Sequence, residues 1–540
     1  MKSAKNIAII GAGPMAIYTV KELIKSETPL CLSIYDKEQE MGCGMPYRSG
    51  MNADYMYCNA FSREIPPITR GLVTWLHEQD DDALRGLGLT RDEIDARDFY
   101  PRVLLGAFFS DAFLDLCEAG RTAGHDIRLY PRHEVTDIEP IATGARLHFT
   151  AAGDSQAAEF DEVVIATGHD WPAAPNIGEA DLVSPWPYTN ITALPAGEIG
   201  ILGSSLSAID VIVTLGQTHG TFIHKGDDVR WFPKTDCNVP LITMVSHKGI
   251  MPEPDFFYPY PYAPLRHINA EAVEAEIAKG SDGLLQRVFD LLIAELNADA
   301  PAYIDALGPQ GQTIDGFADA YFDHRVTMGG LRALRDTLNS AVDTMRNKET
   351  QPHRYVLLRG HENFDLILEH LTQDDRARFY DKLMPVFGDC YAAIPHISVK
   401  RVLALYDAGV LRIVPTGEES TFRNTQDGGV CAQTLDGELR FDAMIDARGQ
   451  AAAALGKLPF PTLTKGLSEK DDLKTPFRLE VPAQDRGAIY CLAMPQILTQ
   501  HPFSQGLPNC AELAQLAVQD MFDRMAGVTI RVSTVATTNP

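Results

Sequence analysis

Lys5 to Asp36 reads KNIAIIGAGPMAIYTVKELIKSETPLCLSIYD, and the fold is decided there. Asn6–Ile10 is a short apolar run of strand type, Ile17–Ile24 has helical character, and Leu30–Tyr35 is a second apolar run closed by Asp36. Between the first strand and the helix stand Gly11, Gly13 and Ala16 on the G-x-G-x-x-G/A spacing, with Pro14 in the same turn. Each position has a mechanical reason. The first glycine permits a tight turn, the second leaves room for a pyrophosphate against the backbone, and the small third residue lets helix and strand pack closely. The start of the helix presents free N–H groups and its positive dipole end to phosphate. An acid about 20 residues past the fingerprint accepts ribose hydroxyls, and Asp36, followed by Lys37, stands there. An ordinary glycine turn explains the glycines but not the acid; a dinucleotide site explains both.

Outward from this stretch, EMGCGMPYRSGMNADYMYCNAFSREIPPI (Glu40–Ile68) is rich in Gly, Met and Tyr and suits helix poorly. In a dinucleotide-binding domain it would pass over the middle of the cofactor. Gly42 and Gly44 would let backbone come close there, and Asn59 and Arg63 are the polar candidates. The plainer alternative is a surface loop. Trp75–Leu87 and Val103–Ala119 look helical. Glu134–Pro140, which carries Val135 as a further cofactor candidate, Arg146–Phe149 and Phe160–Ile165 read as strands, and the last runs into Ala166-Thr167-Gly168.

Glu198–Leu215, EIGILGSSLSAIDVIVTL, repeats the opening logic of strand, small-residue turn and helix. Gly203, Ser205 and Ala208 take the fingerprint positions, and Ser204, Ser205 and Ser207 line the turn. The next strand, Leu241–Val245, ends in Ser246-His247-Lys248 with no acid. Serine and lysine at that strand end suit a 2′-phosphate, hence NADPH over NADH. The interval between the two is longer than a simple βαβ unit needs, so Gly216–Pro240 is read as an insertion. Asn269 is placed as the cap of a short helix that Gly280 stops, and Asp282–Leu296 as an amphipathic helix. The chain to about Asp407 is then mostly helical, with YFDHRVTMGG (Tyr321–Gly330) as a polar interruption. That region is read either as a packing module or as a lid carrying Arg325.

A second echo is internal. Arg128-Leu129-Tyr130 through EFDEVVIATGHD resembles Leu411-Arg412-Ile413 through LRFDAMIDARGQ, which puts Arg448 where the first copy has Thr167. At the end, the apolar Ala488–Met494 is followed by Gln505-Gly506-Leu507-Pro508 and a helix from about Asn509, a second helix start that would face a flavin.

The 540 residues carry 47 Lys+Arg against 73 Asp+Glu, a formal net charge of -26, which repels nucleic acid. The nine cysteines form no C-x-x-C pair and no metal-ligand spacing, as expected of reduced thiols in a cytoplasmic protein without a metal. No apolar run is long enough to span a membrane.

GAGPMA, ATGH, GSSLSAIDV, SHKGIMP and the terminal QGL resemble the FAD/NAD(P)-binding flavoproteins of the class B monooxygenase kind. SHKGIMP, and the segment LTQDDRARFYDKLMPVFGDCYAAIPHISVKRVLALYDAGVLRI, are similar to one bacterial FAD/NAD(P)-binding branch, which usually has glycine where this chain has Ser205. The resemblance extends to amino-acid N-monooxygenases, including those that turn aspartate into nitrosuccinate. It implies an α/β fold with two Rossmann-like dinucleotide-binding domains, for FAD and NADPH, and a mostly helical insertion. Residues 1–195 with 440–540 would bind FAD, 196–265 with 400–440 NADPH, and 266–400 would form the helical insertion. Gly11, Gly13, Pro14, Ala16, Asp36, Lys37, Val135, Ala166, Thr167, Gly168, Gln505, Gly506 and Leu507 would then serve FAD, and Gly203, Ser204, Ser205, Ser207, Ser246, His247 and Lys248 NADPH. The reaction implied is N-oxygenation of a small amine or amino acid by O2 through a C4a-(hydro)peroxyflavin. Arg448, Arg63 and Arg325, with Asn59, are the candidates to receive an anionic substrate. An FAD-dependent NAD(P)H oxidoreductase passing electrons to a quinone or protein, and a non-catalytic flavin carrier, are the alternatives. A homo-oligomer is compatible with all three.

Overall fold

A computed structural model describes residues 4–169, 171–235, 238–392, 394–417, 419–434, 437–467, 473–481, 484 and 486–527. Cys237 lies outside them. The chain divides into two compact units: Met1–Asp170 with Gln450–Ser533, and Trp171–Gly449 with Thr534–Pro540. The helical segment falls within the second unit, and so do residues 171–195 and 440–449, which the sequence assigns to the FAD domain.

In the first unit, β1 (Lys5–Ile10), α1 (Pro14–Leu23), β2 (Leu30–Asp36), α2 (Arg102–Thr122) and β3 (Asp126–Pro131) follow one another. An antiparallel sheet of β4 (His133–Ile141), β5 (Gly144–Ala151) and β6 (Asp154–Phe160) comes next, and then β7 (Glu162–Ile165). The main sheet runs Ala488–Cys491, β7, β1, β2, β3, all parallel. A parallel sheet is covered on both faces, so its strands are continuously apolar; Ile7, Ala8, Ile9, Val163, Val164 and Ile165 are wholly buried. Trp75–Leu87 is two short helices, Leu72–Glu78 and Asp81–Gly86, because the Asp80 carboxylate caps the second by accepting from the Ala83 N–H at 2.8 Å. The C-terminal strand stops at Cys491, a short helix Met494–Ile497 follows, and the terminal helix starts at Leu507, ahead of Asn509.

The second unit repeats four of the five strands of this sheet in the same order. It contains β8 (Glu198–Leu202), α3 (Leu206–His219), the hairpin β9 (Gly220–Lys225) and β10 (Asp228–Pro233), and β11 (Leu241–Ser246). The hairpin lies within the insertion expected over Gly216–Pro240, whose first residues, Gly216–His219, belong to α3. After the helical segment come β12 (Leu411–Pro415), an antiparallel sheet of β13 (Thr421–Asn424), β14 (Val430–Thr434) and β15 (Gly437–Phe441), and β16 (Ala443–Asp446). The parallel order is β12, β11, β8, β16, which matches β3, β2, β1, β7.

In the helical segment, the Asn269 carboxamide accepts from the Ala272 N–H at 3.0 Å and caps Ala270–Ile277, and Gly280 turns the chain beyond it at φ 97°. Tyr321–Gly330 is not an interruption. Tyr321–Met328 lies in α4 (Ile314–Met328), which meets α5 (Gly330–Asn347) across Gly329 alone, at φ 90°. Ile314, Phe317, Ala318, Phe322 and Arg325 share the buried face of α4; a charged residue in the apolar stripe hid the helix. Among the described residues no helix is long and apolar enough to cross a membrane.

Candidate dinucleotide-binding sites

The first glycine turn belongs to the first unit. Gly11 adopts φ 101°, and a Cβ on it would run into the carbonyl of Ala166, so only glycine makes this turn. Its N–H donates to the Tyr35 carbonyl at 2.8 Å, and the Ala166 N–H donates to that of Ile10 at 2.8 Å. Gly13 is the extended N-cap of α1, Pro14 opens the helix, and no side chain caps it. The end of α1 therefore keeps N–H groups for an anion. Ala16 is wholly buried beneath the turn.

The Asp36 carboxylate is held by backbone on both oxygens. One carboxylate oxygen accepts from the Ala12 N–H at 2.8 Å and the other from Glu38 N–H at 2.9 Å. Burial raises its pKa above the ordinary carboxylate value, and these backbone donors oppose the rise. It braces the glycine turn from within. Gly42 and Gly44, expected to let backbone approach a flavin, close on this turn. The Gly42 N–H donates to the Ala12 carbonyl at 2.8 Å, and a Cβ on Gly13 would lie 3.2 Å from Gly44 Cα. On the other side of this strap, a Cβ on Gly42 would lie 2.6 Å from Ser110 Cα, and one on Gly106 would run into the Tyr47 carbonyl, so α2 holds the strap in place.

Ala166 is buried, Thr167 is exposed, and Gly168 turns at φ 68°. His169 next to them is pushed down to about 4, mainly by burial and then by Arg102, with a hydrogen bond to Gln450 opposing; Arg102 and Gln450 carry no motif and were invisible in the sequence. Lys37 is exposed, and Val135 is half-buried at the bulge of β4. Asn59 and Arg63 are exposed; the Arg63 N–H donates to the Ala96 carbonyl at 3.0 Å. Gln505 is exposed, Gly506 is the N-cap of the terminal helix with no side-chain cap, and Leu507 is buried.

The second turn reproduces the first. Gly203 adopts φ 115°, and a Cβ there would lie 2.6 Å from the Ala447 carbonyl oxygen. Its N–H donates to the Val245 carbonyl at 2.9 Å, and the Ala447 N–H donates to that of Leu202 at 2.9 Å. By this register Ser246 stands where the first unit has Asp36, and Arg448 where it has Thr167. Ser205 is the extended N-cap of α3 but makes no side-chain cap, so this helix end too keeps its N–H groups. Ser204 and Ser207 are half-buried beside it. The Ser246 hydroxyl is buried with no hydrogen-bond partner, a donor suited to an anion. His247 is exposed. Lys248 is not free: its Nζ lies 3.8 Å from an Asp319 carboxylate oxygen and 5.3 Å from the centre of the Phe322 ring. Both partners lie on α4 at i, i+3, a spacing that marks one helix face but not what the face meets.

Two of the three candidate anion receivers are engaged. Arg325, nearly buried, forks onto Asp389 at 3.1 and 2.7 Å and donates to the Met251 carbonyl at 3.3 Å. It packs α4 against these partners. Arg448 forks onto Asp446 with both contacts at 2.8 Å and reaches the Asn176 carbonyl at 3.2 Å, while staying 44% exposed.

Residues 8–170 match a family model described as FAD-NAD(P)-binding, and residues 269–391 one described as the YdhS-like middle domain. The chain is 37% identical over 516 residues to the uncharacterized protein YdhS of Escherichia coli, covering 95% of this chain and 96% of that one. Among solved structures, the reduced form of the ornithine hydroxylase of Pseudomonas aeruginosa has a similar fold, with TM-score 0.53 at 14% identity over 97% of this chain and 100% of that chain. Another structure of the same hydroxylase gives 0.50 at 12% identity over the same shares.

Proposed function

The chain belongs to the YdhS family, and we propose that it is an FAD-dependent, NADPH-using monooxygenase that oxygenates the nitrogen of a small amino acid or amine. The observation that carries this reading is the duplicated site: two glycine turns with the same register, each at a helix end without a side-chain cap. A flavin and a nicotinamide dinucleotide need one such turn each. The FAD-NAD(P)-binding match and the fold shared with an ornithine hydroxylase support the assignment.

Flavin, reduced by NADPH, supplies oxygen-transfer chemistry from O2. The chain's own residues bind and orient. Gly11 and Gly13 admit a pyrophosphate to the start of α1, and Asp36 fixes the turn while keeping carboxylate lone pairs for a ribose. Ser246 and Lys248 offer a donor and a charge to a 2′-phosphate. If the substrate is a dicarboxylic amino acid such as aspartate, Arg448 is the exposed fork that would receive it, and Asp446 must give way. 

The test is direct. The purified protein should be yellow, release FAD on denaturation and consume NADPH and O2. An amino-acid and amine screen should find a compound that speeds both while lowering the share of H2O2. A colourless protein that never takes up FAD sinks the reading. NADPH oxidation that needs an added quinone, with O2 unused, turns it to an electron-transferring oxidoreductase.

A further inference from the structure

Helix α4 reaches into the strand end that carries Ser246. Gly249 turns the chain at φ 65°, and a Cβ on Gly330, at the start of α5, would run into its carbonyl. Arg325 of α4 holds the Met251 carbonyl. Within this clasp α4 brings Asp319 and Phe322 to Lys248. We propose that Asp319 is a specificity-determining residue of the second dinucleotide site: its carboxylate competes with a 2′-phosphate for Lys248, so the helical segment helps set the choice between NADP and NAD. The proposal rests on reading this unit as the NADPH site.

The first unit supplies the reference. There the equivalent strand end holds Asp36, braced by backbone N–H groups. In the second unit that place holds Ser246, with its hydroxyl buried and unpartnered, and Lys248 follows two residues on. Phe322, 5% exposed, gives the ammonium a fixed ring face. Asp319 is 86% exposed and Lys248 41%. An ion pair this wet is weak and screened, whereas a phosphate offers doubly charged acceptors. Lys248 therefore exchanges Asp319 for the phosphate at a small penalty, and Asp319, left close by, repels the incoming charge.

The experiment is calorimetric titration of the full-length protein with NADP+ and with NAD+. Asp319→Asn should tighten NADP+ about two- to fivefold, the range of an exposed ion pair, and leave NAD+ unchanged. Asp319→Glu, which keeps the charge, should behave as the wild type. In a Lys248→Ala background the gain from Asp319→Asn should shrink, which identifies the lysine as the intermediary. An equal change for both nucleotides, no change for NADP+, or an undiminished gain without Lys248 overturns the proposal. A wild-type protein that binds neither nucleotide overturns it together with the NADPH reading, whereas normal NADP+ binding with an inert Asp319 overturns it alone.

Discussion

Gly13 shows how much can hang on one missing side chain. The fingerprint reserves its empty space for a pyrophosphate, and the folded chain sets Gly44 Cα 3.2 Å from where its Cβ would be. The backbone there is ordinary, φ −82° and ψ −170°, so a larger residue strains nothing but its surroundings. Gly13→Val should therefore leave a folded protein, cost about 1–3 kcal/mol of overpacking, and lose bound FAD. Flavin absorbance after purification reads the result, and a variant that comes out as yellow as the wild type contradicts the site. The first fingerprint was legible residue by residue because turn, helix start and acid obey local rules. The second was half legible. Its serines and lysine could be read, but not the burial of the Ser246 hydroxyl, nor the ion pairs of Lys248, Arg325 and Arg448, whose partners lie 2 to 71 positions away.

Helix α5 meets the Ser246–Gly249 turn through Gly330. A Cβ there would strike the Gly249 carbonyl, a backbone atom that cannot rotate aside, and would press on Ile413 Cγ2 at 3.1 Å. Gly330→Ala should lower stability by about 1–3 kcal/mol and weaken NADP+ binding by moving the turn. Gly388, within the helix Met384–Tyr391, has nothing within 4 Å of an added Cβ. Gly388→Ala should be neutral or stabilise by up to about 1 kcal/mol, the helix-propensity difference. Chemical denaturation of the two variants side by side separates packing from propensity; equal effects would mean that close approach is not what Gly330 provides. Most strands and helices here were legible from apolar runs and caps. Tyr321–Gly330 was not, because Arg325 sits in the buried stripe and finds its partner, Asp389, on another helix.

His169 in the first unit, and His353 and His361 in the second, are each pushed down to about 4, in every case mainly by burial. Their folded pKa lies below the unfolded value, so the unfolded chain binds more protons between about pH 6.5 and about pH 4. The stability they contribute is present above that window and is lost as the pH falls through it. Burial raises Asp36 and Glu162, which work in the opposite sense. The thermal midpoint of His353→Asn should accordingly fall less steeply than that of the wild type as the pH drops from about 6.5 to about 4; parallel curves would exclude the histidine. The sequence by itself determined that the chain holds two strand–turn–helix nucleotide folds with a helical segment in the second, since these follow from period, glycine spacing and duplication. Only the tertiary structure decided which charges are free. Ion pairs such as Arg325–Asp389 and Lys248–Asp319 form wherever packing brings opposite charges together, and no local pattern of residues encodes that meeting.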